Sequence, residues 1–171
     1  MKNLLIGLIL GWIILAVAAV AFVKTQGLPL PVKSKPLPFE EKIAEISFEH
    51  ALRGTGNLVP PIDTSEEYLL AGAKIYKANC AFCHSLPLQH EASYAAKGMF
   101  PPPPNLFEKD QGVTEMPIGS TYWIIKNGIR LTGMPGFEDT LSDMKIWQVS
   151  QLVRRADDLP KSVKAELKAS K

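Results

Sequence analysis

The chain has 171 residues, with 19 Lys or Arg against 17 Asp or Glu and a formal charge of +2 at neutral pH. So balanced a charge gives no large steering field, and no basic nucleic-acid stripe, phosphate loop or hydrolytic triad is visible. Hydrophobic residues are 46% of the total, and only two cysteines are present.

Leu4 to Val23 is an unbroken apolar run, with Gly7 and Gly11 its only weak helix formers. At about 1.5 Å per residue it spans roughly 30 Å, the thickness of a hydrocarbon core. A cleavable signal peptide has a shorter apolar region of about 7–15 residues. Ala16-Val17-Ala18 and Ala19-Val20-Ala21 offer small-x-small cleavage patterns, but the length favours an uncleaved transmembrane anchor over residues 1–24. Lys2 lies before it and Lys24 after it, so charge does little to orient it.

Residues 25–63 read as a proline-rich linker containing a short helix. Pro29, Pro31, Pro36 and Pro38 favour extended polyproline II and make a semi-rigid spacer. From Phe39 to Arg53, Ile43, Ile46 and His50 recur at helical spacing, and Gly54, Gly56 and Pro60-Pro61 close the helix. His50 is read as a half-buried polar group rather than a ligand.

A globular domain is expected over residues 64–160, a normal single-domain size. Thr64 with Glu67 fits a capping box, opening a helix to Asn79 with Leu69, Gly72, Ala73 and Tyr76 on one face. Cys80-Ala81-Phe82-Cys83-His84 follows at once. Two thiols three positions apart with a histidine after the second are what covalent haem attachment requires. The thiols add across the porphyrin vinyl groups, and the short backbone carries the histidine to the iron. A thioredoxin-like pair would want a βαβ pattern nearby, and none is visible. Zinc would need two more ligands at matching spacing, and a structural disulfide would leave His84 without a role.

The stretch resembles the haem-binding motif of the class I cytochromes c, and Gly72 with Tyr76 resembles the pair by which their first helix crosses the last. The resemblance implies an all-α chain: a transmembrane helix, a proline-rich linker and a small helical domain around one covalent haem c. Pro104-Asn105-Leu106, at the end of a run of four prolines, resembles the Pro-Asn-Leu stretch of that family. Carried over, the Pro104 carbonyl accepts the second N–H of His84, and Leu106 packs on the porphyrin. A short helix, Tyr122 to Asn127, is expected to be capped by Ser120 or Thr121 and to end at Gly128. The loop beyond it carries Gly133-Met134-Pro135, and the resemblance makes His84 and Met134 the iron ligands. Met116-Pro117 is the competing pair, with Met99 and Met144 behind it.

The last helix is expected from Ser142 to Ala156, with Ile146, Val149, Leu152 and Val153 as its apolar stripe, crossing the Gly72–Tyr76 face. Residues 161–171 read as a frayed tail, and Ser85 to Gly98 as a loop with His90 facing solvent. The implied function is one-electron transfer between redox protein partners, by a protein acting alone or as a subunit of a respiratory complex. No catalytic residue, small-molecule substrate or nucleic acid is expected. The family attaches haem outside the cytoplasmic membrane, which implies a single-pass bacterial membrane protein with its haem domain in the periplasm. The alternative is a gas or redox sensor, or a catalytic haem subunit, with an open iron site that ligation by Met134 would close.

Overall fold

The computed structural model describes residues 1–89, 91–108 and 113–169, and no strand occurs among them. Two units, Met1–Glu41 and Lys42–Lys171, are each compact in themselves. In the first, helix α1 (Lys2–Gln26) is long and apolar enough to cross a membrane, and none of its residues is buried. It stops at Gly27, whose φ of 73° suits a residue without a Cβ. Beyond it the chain has no regular element up to α2, only two turns, in which the Ser34 N–H meets the Pro31 carbonyl at 2.9 Å and the Glu40 N–H the Leu37 carbonyl at 3.1 Å.

Helix α2 (Glu40–Ala51) leads into the second unit, followed by a 3₁₀ turn at Thr55–Asn57, α3 (Glu66–Asn79) and the single turn α4 (Ala81–His84). A 3₁₀ turn at Ala96–Gly98, α5 (Ile118–Asn127), α6 (Asp143–Arg154) and α7 (Lys161–Lys168) complete the order. Leu69, Ala73 and Tyr76 of α3 are buried against Ile146, Val149, Leu152 and Val153 of α6. The helices meet at Gly72, where an added Cβ would strike the Gln148 carbonyl and lie 3.2 Å from the Leu152 Cβ. Tyr122 of α5 stacks on Trp147 of α6, centroids 4.0 Å apart and planes 12° apart. The Tyr122 hydroxyl donates to Asp143 at 2.7 Å, and Lys126 reaches the same carboxylate at 3.0 Å. These two donors hold the Asp143 carboxyl below its ordinary range.

Four sequence expectations need correcting. Ser65, not Thr64, caps α3, and no side-chain capping bond forms. Asp63 instead accepts the Ser65 N–H at 3.1 Å, an Asx turn that delays helix entry by one residue. Helix α5 opens at Ile118, so Ser120 and Thr121 are buried inside it rather than capping it. Pro117 supplies a helix-compatible φ of −54°, and its carbonyl accepts the Ser120 and Thr121 N–H groups at 2.9 and 3.1 Å. On α2, Ile43 and Ile46 are 63% and 53% exposed and His50, expected to be half-buried with them, is exposed too, whereas Phe48 is half-buried.

The last correction concerns the tail. Residues 161–168 form α7, with Val163 and Leu167 fully buried in the core. Lys77 of α3 donates to the Glu166 carbonyl and carboxylate at 2.8 and 3.1 Å, and Ser162 bonds Glu66. Two apolar side chains four apart are enough to dock a short helix that would not form alone. Their partners lie on α3, about ninety residues earlier, beyond any local pattern.

The α3–α6 crossing yields a direct test. Gly72→Ala should gain up to about 1 kcal/mol in helix propensity but force backbones apart, for a net loss of about 2 kcal/mol. Denaturant melts of the two proteins measure it; an unchanged or raised stability would contradict the close approach.

Candidate functional site

The cysteine motif begins where α3 ends. The Cys80 N–H closes on the Tyr76 carbonyl at 2.8 Å, and the Cys80 carbonyl accepts the Cys83 and His84 N–H groups at 3.0 and 2.9 Å. The motif is therefore one tight helical turn. Both thiols are free and half-buried, while Phe82 between them is 71% exposed. Tyr76 fixes the turn's far end, its hydroxyl donating to the Ser85 carbonyl at 2.7 Å and the His84 carbonyl at 3.2 Å. Its ring meets Phe107 edge-on at 5.1 Å.

Burial first, then the neighbouring Cys83, pushes the Cys80 thiol up to about 12. A redox-active pair needs the opposite, a depressed thiol. Nor do three His, Cys, Asp or Glu side chains gather anywhere among the described residues to hold a metal ion.

His84 Nδ1 lies 2.8 Å from the Pro104 carbonyl. A proline carbonyl can only accept, so Nδ1 carries the hydrogen and Nε2 keeps its lone pair free. Burial lowers the imidazole pKa, outweighing the Pro104 bond that raises it, and keeps the ring neutral. A neutral ring with one nitrogen tied and the other free is the form that binds a metal.

Cys80, Cys83, His84, Pro104, Leu106 and Met134 all line one cavity of about 350 Å³, in the range of cofactor pockets. Its other walls are mostly apolar: Pro101, Pro102, Pro103, Ile124, Ile125, Ile129, Val149 and Val153 among them. Prolines have no N–H to leave unpaired against an apolar surface. Met99 and Met116 also line it, whereas Met144 and His50 do not. His90 falls outside the described residues.

The Met134 loop is anchored on α5. Gly128 ends that helix with φ 69°, and a Cβ there would lie 2.7 Å from the Met134 carbonyl and 2.5 Å from the Gly136 nitrogen. The Ile129 N–H bonds the Met134 carbonyl at 3.1 Å, and the Phe137 N–H reaches the Lys126 carbonyl at 3.0 Å. Gly128 is legible in the sequence as a helix stop; its second task, letting the loop fold back, depends on contacts up to eight residues away. Gly133 is where the Met99 thioether packs, since a Cβ there would meet its sulfur at 2.7 Å.

Phe48 and Thr121 are lining residues that the sequence did not assign to the site. Phe48, from α2, forms part of the wall. Thr121 is buried with its hydroxyl unpartnered among the described residues, although a helical threonine can usually bond the carbonyl four residues back. An orphaned hydroxyl in an apolar cavity marks a place for a group with an acceptor atom. Free thiols, a neutral imidazole, thioethers and apolar walls together fit a haem.

A family model described as cytochrome C oxidase, cbb3-type, subunit III, matches residues 68–153, from the first turn of α3 to the last turn of α6. No curated protein and no solved structure matches the chain.

Proposed function

The chain belongs to the family of cytochrome c oxidase, cbb3-type, subunit III, and on that footing we propose that it is a membrane-tethered cytochrome with one haem c, passing single electrons between redox partners at the periplasmic face of a bacterial membrane. Membership implies covalently bound haem c and a role in electron transfer. Once bound, haem supplies a one-electron iron couple tuned by axial ligands, hydrogen bonding and burial.

The observation that carries the reading is the shared cavity: Cys80, Cys83 and His84 line it together, with His84 Nδ1 already tied to the Pro104 carbonyl. In this reading the two thiols form the covalent links, and the lack of any further cysteine limits the chain to one such group. His84 offers Nε2 to the iron in a fixed ring orientation. Leu106 and the proline run exclude water from the ring. Met134 offers its thioether from a loop held to α5 at both ends, which favours it over Met116 and Met99. A thioether there raises the potential and closes the sixth position to exogenous ligands.

Met134→Ala should abolish the weak far-red absorption of ferric iron bound by thioether sulfur, and let carbon monoxide bind the reduced protein. Met116→Ala should do neither. Loss of the band in Met116→Ala, with retention in Met134→Ala, would transfer the ligand role to Met116. Ready carbon monoxide binding by the unaltered protein would favour a sensor or catalytic haem.

The tether reading is supported by α1 and by the proline-rich residues after it. With net charge near zero, electrostatic capture of a partner is weak, so confinement at the membrane is what raises encounter frequency. A linker sets effective concentration, which falls once it exceeds the needed span. Deleting residues 1–24 behind a cleavable secretion signal should leave the visible spectrum intact and lower electron flow to membrane partners. Full flux from the soluble form, or a native amino terminus near Ala21, would overturn the tether.

A further inference from the structure

The segment before the family-matched region is more than a connector. We propose that residues 42–58 are part of the cofactor site, with Phe48 acting as a wall that keeps water from the haem. This rests on the haem reading given above.

The packing of α2 is the first support. From Lys42 to Ala51 only Phe48 is withdrawn from solvent; Ile43 and Ile46, the apolar residues a packed helix would normally bury, are mostly exposed. The place Phe48 withdraws to is the cavity that Cys80, His84 and Met134 line. A helix whose one half-buried apolar side chain goes to a cofactor cavity is positioned by that cavity, not by a core of its own.

The second support is how the following residues are pinned. Thr55 is buried, and its hydroxyl donates to the Leu52 carbonyl at 2.7 Å. That uses its only hydrogen, so Ser120 is the donor in the buried 2.8 Å bond between the two hydroxyls. One residue earlier, Gly119 has no room for a side chain, because the Thr55 and Leu58 carbonyls cover it. A Cβ on Gly56 would sit 3.3 Å from Pro117. The 3₁₀ turn is thus locked on the first turn of α5, the helix that also carries Thr121, Ile124 and Ile125 into the cavity.

The consequence is electrostatic. Ferric haem carries one more positive charge than ferrous, so water admitted near the iron stabilises the oxidised form and lowers the potential. An apolar ring at the cavity wall does the reverse. Removing it should leave the covalent links and axial ligands in place while shifting the redox equilibrium.

The test uses the full-length protein in detergent, with haem content, midpoint potential and azide binding to the oxidised form measured on each variant. Phe48→Ala should keep one haem per chain, move the potential negative and bind azide more readily. Phe48→Leu should shift both the same way by less, and serves alone if Phe48→Ala does not accumulate. Ile46→Ala, on the exposed face of α2, should change neither. Unaltered potential and azide binding in Phe48→Leu and Phe48→Ala, with haem content normal, would overturn the role of Phe48. Absence of haem from the unaltered protein would overturn the haem reading instead.

Discussion

Everything at the site depends on holding one imidazole with a chosen nitrogen facing the cavity. A histidine on a four-residue helix has no rigidity of its own. Here its backbone is fixed from behind by the Tyr76 hydroxyl, and its ring from the side by the Pro104 carbonyl at 2.8 Å. The second bond also decides the tautomer, since the carbonyl cannot donate. Both partners lie outside the motif, so Cys-x-x-Cys-His is only the local part of a wider device.

That device needs two larger structures to be in register. Tyr76 stands where it does because α3 is pressed onto α6 at Gly72, with room for hydrogen alone. Across the cavity, the Met134 loop returns onto the end of α5 through Gly128 and Gly136, and α5 in turn stacks on α6 through Tyr122 and Trp147. Helix α6 is therefore the common support: the histidine side of the cavity leans on one of its faces and the methionine side on another. Thr121, buried on α5 and without a hydrogen-bond partner among the described residues, lines the same cavity.

The local patterns were legible in the sequence, and the α3–α6 crossing through the family resemblance, but the other long-range packing was not. The cysteine motif, the face of Leu69, Gly72, Ala73 and Tyr76, and the stripe Ile146–Val149–Leu152–Val153 could be read because spacing along the chain decides them, and the resemblance implied that the two faces cross at Gly72. All six residues singled out for the site come to one cavity. The Pro104 carbonyl, which the resemblance aimed at the His84 ring, lies 2.8 Å from its Nδ1. Misreadings fell where a distant partner overrules a local pattern. Val163 and Leu167 become core only because α3 receives them, and Phe48 displaces Ile43 and Ile46 because a cavity lies within its reach. The capping box at Thr64 failed for a nearer reason, the competing turn formed by Asp63.

The central claim is that Cys80, Cys83 and His84 hold one covalently attached haem. Intact-mass spectrometry of the denatured protein, made in cells able to attach haem, tests it most directly. The account predicts the chain mass plus a single haem, with neither cysteine open to alkylation. A chain mass without haem, or two alkylated cysteines, would contradict it.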